Sequence, residues 1–287
     1  MTMSIDSAQD LASGKGSTDE NFPVASALIA PRHRPVVMAF YRFARAADDV
    51  SDNSEATPGL KLALLEDMRS SLTGESDFNT DGVVLREALY IRGLLPRHPL
   101  DLLEAFRRDV TKLRYDDWDD LMDYCRYSAS PVGRFVLDVH GEDEAFWPMN
   151  DALCSALQVI NHLQDCGKDR RDLDRIYIPL DAFNQAGIGV EALDAPGASP
   201  ELRAVIAGLA RRTITLLEIS RPLARKVKDG RLALEIGVIQ TLAEDLCKGL
   251  MQRDPLSQSV HHGKPQMAGL ALMAMARTGL ARLGARP

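Results

Sequence analysis

Phe40-Tyr41-Arg42-Phe43-Ala44-Arg45-Ala46-Ala47-Asp48-Asp49-Val50-Ser51-Asp52 is the stretch on which the fold class turns. Tyr41, Arg45, Asp48 and Asp52 stand at i, i+4, i+7 and i+11, which puts them on a single stripe of an α-helix. Val36, Val37, Phe40, Phe43, Ala44, Ala47 and Val50 surround that stripe. A helix apolar over most of its circumference is an interior helix, and this one carries a polar ribbon inward with it.

The arrangement recurs in Leu157-Gln158-Val159-Ile160-Asn161-His162-Leu163-Gln164-Asp165-Cys166-Gly167-Lys168-Asp169. Gln158, Asn161, Asp165 and Asp169 again form one stripe, amid Leu153, Ala156, Leu157, Val159, Ile160 and Leu163. Outward from these two segments, almost everything after Asn21 reads as helix, and alternating β-branched or aromatic runs are scarce. Helices are expected at 32–53, 58–74, 82–94, 99–113, 117–140, 144–171, 199–228, 230–252 and 266–284. Thr57-Pro58-Gly59, Pro96 to Pro99 and the Gly/Pro/Asp-rich 187–200 punctuate them. The expectation is an all-α fold: one helical domain over 20–287, preceded by a disordered polar tail at 1–19.

The 287 residues are 45% apolar, enough for a sizeable core. A net charge of −7 speaks against a nucleic-acid partner and requires any anionic substrate to meet local cations. Cys125, Cys154, Cys166 and Cys247 form no C-x-x-C pair, which fits reduced thiols in a cytoplasm. The first twenty residues have no apolar signal core, and no uncharged apolar run is long enough to span a bilayer.

Two carboxylates at i, i+4 repel each other by about 0.2–0.5 kcal/mol on an isolated helix. On an apolar helix such pairs are useful where a divalent cation neutralises them. Mg2+ takes one or two carboxylates and completes its shell with water and phosphate, so two such pairs brought together could hold a metal cluster and a diphosphate. Spacing alone is weak evidence, because 41 acidic residues produce D-x-x-x-D by chance. Asp116/Asp120 and Asp119/Asp123 share it and read as a solvated acidic turn beside Trp118. The apolar setting and matched polar neighbours single out Asp48/Asp52 and Asp165/Asp169. The six histidines, His162 among them, form no cluster at ligand spacing and read as surface or core residues. Gly187-Ile188-Gly189 lacks a strand–turn–helix setting, and no nucleophile elbow is present.

The two Asp-bearing segments resemble the first and second Asp-rich motifs of the squalene/phytoene synthases. Asp174-Arg175-Ile176-Tyr177-Ile178-Pro179 resembles that family's R-x-Y-x-P segment, and Tyr124 to Gly133 lies where the family has Y-C-x-x-V-A-G-x-V-G. The resemblance implies an isoprenoid-synthase helical bundle with a central apolar cavity and Mg2+–diphosphate at its mouth. By position, Asp48, Asp52, Asp165 and Asp169 are the metal carboxylates. Arg45, Gln158, Asn161, Arg175 and Tyr177, with Phe22 and Ser26, are the substrate-binding candidates, and Tyr41, Tyr124 and Asp49 the catalytic ones.

Departures from the condensing members point to the hydroxysqualene-forming branch. Gln164 replaces the usual Arg before Asp165, and Ser128-Ala129-Ser130 replaces Val-Ala-Gly. Glu20 to Ser26, Pro131 to Phe135 and Leu163 to Asp165 also resemble that branch. The chemistry this resemblance implies is Mg2+-assisted ionisation of presqualene diphosphate and capture of the rearranged cation by water, without NADPH, in the hopanoid route. The polarity of Arg126, Ser128, Ser130 and Gln164 suits admitting and orienting that water. The rivals are a synthase condensing two prenyl diphosphates to presqualene diphosphate or phytoene, and more remotely a non-catalytic helical adaptor or an unrelated scaffold. A monomer or homodimer is expected. Residues 266–284, rich in Met, Leu and Ala, read first as a bundle helix and second as a weak anchor to the inner membrane surface.

Overall fold

In a computed structural model of the chain, residues 29–284 and Ala8 are described. Phe22 and Ser26 lie outside the described residues, as does the expected tail at 1–19 apart from Ala8. Among the described residues the chain is helical without a strand, and an isolated parallel bridge joins Arg114 to Ile176. The all-α expectation is correct. The chain divides into two compact units, one of residues up to Leu113 with Phe135–Gly141, the other of Arg114–Arg134 with everything from Glu142.

The first unit contains α1 (Arg34–Asp52), α2 (Pro58–Thr73), α3 (Thr80–Arg92) and α4 (Arg97–Thr111). Thr57 caps α2 by accepting the N–H of Leu60, with Pro58 in the first turn where no N–H is needed. Asn79 caps α3 through the N–H of Gly82 at 2.8 Å. α1 packs on α2, α3 and α4, and its Phe40, Phe43, Ala47 and Val50 join Leu65, Met68, Leu72 and Leu85 in the core. Phe135 enters the same cluster and stacks on Phe40, ring centroids 4.0 Å apart.

In the second unit, α7 (Trp147–Gln164) packs against α5 (Trp118–Ser128), α10 (Pro200–Ser220) and α12 (Gly230–Gln252). α13 (Lys264–Leu283) lies on α12. Glu142 accepts the backbone N–H groups of Lys228 and Asp229, both at 2.8 Å, just before α12 begins. The first turn of α6 (Ser130–His140) approaches α7 so closely that a Cβ on Gly133 would collide with Asn150 Oδ1 and Cys154 Sγ.

Three expected helices are each divided. The 117–140 helix breaks at Ala129 (φ −121°, ψ −50°) into α5 and α6, where Pro131 supplies no N–H to continue the ladder. The 144–171 helix becomes a 3-10 turn at Glu144–Phe146, then α7 and α8 (Cys166–Leu173), parted at Asp165 (φ −102°, ψ 8°). Pro222 separates α10 from α11 (Leu223–Lys226). The short α9 (Leu180–Gln185) is not among the expected helices; six residues are too few to show periodicity.

Candidate active site

On α1, Ala44, Ala46 and Ala47 favour helix, and the resulting regular turn sets Arg45 beneath the carboxylates that follow it. Arg45 Nη1 donates to Asp48 Oδ2 at 2.9 Å and Nη2 donates to Asp49 Oδ1 at 2.6 Å. Asp49 is buried, and Asp48 keeps 37% of its side-chain surface open. Ser51 Oγ donates to the Asp48 carbonyl at 3.0 Å, with Asp52 Oδ1 the alternative acceptor at 3.3 Å. The surrounding protein pushes the Asp48 carboxyl up to about 7, first by desolvation and then through the charge of Asp52, with Arg45 pulling the other way. Asp109 on α4, buried and not singled out by any sequence pattern, adds to the rise. Tyr41 lies half-buried one turn before Arg45.

The second ribbon sits at the α7–α8 break. The Asp165 N–H donates to the Asn161 carbonyl at 2.9 Å and the Asp169 N–H to the Asp165 carbonyl at 2.8 Å, so helical bonding resumes directly beyond the break. After α8, Asp174 takes a left-handed conformation (φ 52°), which Asp tolerates better than most residues. That reversal returns Arg175 to Pro179 alongside Arg114, whose guanidinium donates to the carbonyl and the carboxylate of Asp174. Arg175 and Tyr177 are thereby buried with α7.

Around them forms a cluster of rings. Tyr177 stacks on His162 with centroids 3.5 Å apart and planes 12° apart, and lies 5.5 Å from Tyr124 and 5.6 Å from Tyr115. His162 Nδ1 is 4.0 Å from Asp169 Oδ2, and Nε2 is 3.1 Å from the Gln158 amide nitrogen. Burial first, then the positive charge of Arg175, lowers His162 to about 3, so its ring is neutral at ordinary pH.

The structure thus gathers Arg45, Asp48, Asp49 and Asp52 within the first unit, and Gln158, Asp169, Arg175, Tyr124 and Tyr177 within the second. Sequence pattern alone does not single out Tyr115, and it leaves His162 as a bland core or surface residue. The spacing Gln158, His162, Asp165, Asp169 (i, i+4, i+7, i+11) is the signal that could have found the histidine. The four positions expected to orient water diverge. Arg126 is exposed over the Tyr127 ring, Ser130 is buried in the first turn of α6, Ser128 Oγ is buried without a partner, and Gln164 is buried and bonded to Val260. Asp116, Asp119 and Asp123 are exposed and Asp117 caps α5, as a solvated turn requires.

The donor set suits Mg2+. Asp48 and Asp52, one turn apart, present hard carboxylate oxygens of the kind Mg2+ takes, and burial and then their mutual repulsion raise the Asp48 carboxyl. Among the described residues no three of His, Cys, Asp or Glu are gathered as a metal cage.

Among the described residues the chain is all-helical, with acidic segments on apolar helices and a polar-tipped aromatic cluster in its second unit. The crystal structure of squalene synthase HpnC from Alicyclobacillus acidocaldarius matches it with a TM-score of 0.71 at 33% identity, over 85% of this chain and 91% of that one. A dehydrosqualene synthase shares the fold, with a TM-score of 0.77 at 19% identity over 88% of this chain and 90% of that one. Residues 16–266 match the squalene/phytoene synthase family model, and the chain belongs to that family. It is 58% identical to the hydroxysqualene synthase of Zymomonas mobilis over 94% of this chain and 91% of the relative. It is 53% identical to that of Rhodopseudomonas palustris, over 89% and 87%.

Proposed function

We propose that the protein is a hydroxysqualene synthase acting on presqualene diphosphate. The observation that carries this reading is the 58% identity, over 94% of the chain, to a hydroxysqualene synthase. In the reaction the C–O bond to diphosphate breaks, its electron pair leaving with the diphosphate. The cation rearranges, water forms the new C–O bond, and one water proton is lost. Atoms and electrons balance without hydride, so NADPH has no part in it.

Asp48, Asp52, Asp165 and Asp169 would hold Mg2+, which when bound neutralises charge on the departing diphosphate. Arg45 fixes Asp48 and Asp49 from one side, and Arg175 supplies buried positive charge near the second ribbon. By family position Tyr124 and Tyr177 would border the reacting centre, where electron-rich rings stabilise a nearby carbocation. Gln158 and Asn161 complete the polar lining of α7. Phe22 and Ser26 belong to the same assignment by family position.

The setting of the reading is a cytoplasmic enzyme of squalene and hopanoid formation. None of the described helices is long and apolar enough to cross a membrane. α13 exposes Leu272, Met273, Leu280 and Leu283, contains no acidic residue and buries only Ala274 and Thr278. That face supports weak contact with an anionic lipid surface.

The test is incubation of purified protein and Mg2+ with presqualene diphosphate in H2-18O. Labelled hydroxysqualene, formed without NADPH, is expected, and farnesyl diphosphate alone should give little product. Vigorous conversion of farnesyl diphosphate to presqualene diphosphate with no onward hydration would instead identify the condensing activity.

A further inference from the structure

His162 is buried on α7 with its ring clamped flat on Tyr177 at 3.5 Å and flanked by Tyr124 at 6.0 Å. Stacking fixes the plane of the imidazole, and within that plane the contacts to Gln158 and Asp169 orient the two ring nitrogens. One of them, Nε2, lies 3.1 Å from the amide nitrogen of Gln158. An amide nitrogen has hydrogens and no lone pair to offer, so it donates and Nε2 accepts. The ring proton is then on Nδ1, the nitrogen nearer the Asp169 carboxylate. One N–H of the half-buried Gln158 side chain is thereby committed to His162, which leaves its carbonyl oxygen and the second N–H for other company.

A neutral carbonyl is suited to holding water beside a carbocation. It accepts one O–H, which leaves an oxygen lone pair free to attack. Being uncharged, it gives the cation no anion with which to collapse. Without the imidazole, the amide could rotate and present its NH2 instead, which cannot accept from water.

We propose that His162 is a positioning residue that sets the sense of the Gln158 amide so that its carbonyl orients the capturing water, making the pair a determinant of alcohol over hydrocarbon product. The inference rests on the hydroxysqualene reading.

The experiment measures product ratios, which do not depend on total turnover. Wild-type, His162→Phe, His162→Gln and Gln158→Leu proteins are each given presqualene diphosphate and Mg2+, and all C30 products are quantified. His162→Phe keeps a ring to stack on Tyr177 but offers no acceptor, and should lower the ratio of hydroxysqualene to hydrocarbons and isomeric alcohols about tenfold, the worth of one positioned hydrogen bond. Gln158→Leu should do the same, and its half-buried position keeps the test open should His162→Phe fold poorly. His162→Gln restores an acceptor without the ring and should recover much of the ratio. A wild-type ratio in a folded His162→Phe or Gln158→Leu protein overturns the inference, as does a His162→Gln ratio no better than that of His162→Phe. Wild-type protein that makes no hydroxysqualene overturns the functional reading, and this inference with it.

Discussion

Gln164 donates its amide nitrogen to the carbonyl of Val260 at 3.0 Å, across 96 positions of sequence. The same nitrogen lies 3.2 Å from His261 Nδ1. The last residue of α7 is thereby strapped to the loop before α13, and the two border an open, polar pocket of about 340 Å³ that Asp165 and Lys168 also line. Gln164→Ala should cost about 1–2 kcal/mol, the price of leaving a buried carbonyl without its donor. Urea unfolding would measure the loss, and limited proteolysis should reveal faster cleavage within 255–261. Gln164→Arg would bury a guanidinium in place of the amide, so any change in its products should come with a fall in stability.

Asp48→Ala, Asp52→Ala, Asp165→Ala and Asp169→Ala should each abolish turnover while the protein stays folded, because each relieves carboxylate repulsion in the metal-free chain. Circular dichroism and product assays on the same preparations separate the two effects. Asp119→Ala removes an exposed carboxylate of the α5 N-terminus and should be almost silent. Near-normal turnover in Asp165→Ala and Asp169→Ala would remove the metal assignment.

The raised carboxyl of Asp48 makes metal-free stability depend on pH. A folded value near 7 lies above the ordinary carboxylate value of about 4, so folding favours the protonated form. Its contribution is complete below pH 4 and is lost as pH rises through 7. The melting temperature without divalent cations should therefore fall between about pH 4 and 7, and fall less in Asp48→Asn. Adding Mg2+ at pH 8 should raise the melting temperature of wild type more than that of Asp48→Asn. Identical pH profiles for the two proteins would show that this carboxyl is not the titrating group.

Leu272 and Leu280 of α13 are 66% and 71% exposed. Replacing both with Glu should leave the melting temperature within about a degree, since surface changes are usually worth less than 0.5 kcal/mol. Co-sedimentation with liposomes containing anionic lipid should decline. Equal sedimentation of variant and wild type would exclude this face as a lipid contact.

The two polar ribbons are legible in sequence because helical periodicity places residues three, four and seven apart on one stripe whatever else the chain does. That rule locates Arg45, Asp48 and Asp52 without tertiary information. It also puts His162 on the second stripe but cannot give its role, since its surroundings depend on Tyr177 returning from beyond α8, and that return needs the left-handed Asp174. Gln164 stands beside the second Asp motif and so invites a chemical reading, yet its partners, Val260 and His261, lie in another segment. The breaks at Ala129 and Pro222 are marked by nearby prolines, whereas the one at Asp165 has no proline beside it, only Gly167 two residues on.

Gly133, whose absent Cβ makes room for Asn150 and Cys154, constrains the order in which this chain can change during descent. Alanine at 133 forces Asn150 and Cys154 to shift while both keep their present size, and fits freely once they have shrunk. Substitutions at 150 and 154 therefore ease the way for one at 133, and a filled position 133 disfavours their reversal. A library randomised at the three positions and selected for folding should be enriched in small residues at 150 and 154 among clones that have lost the glycine.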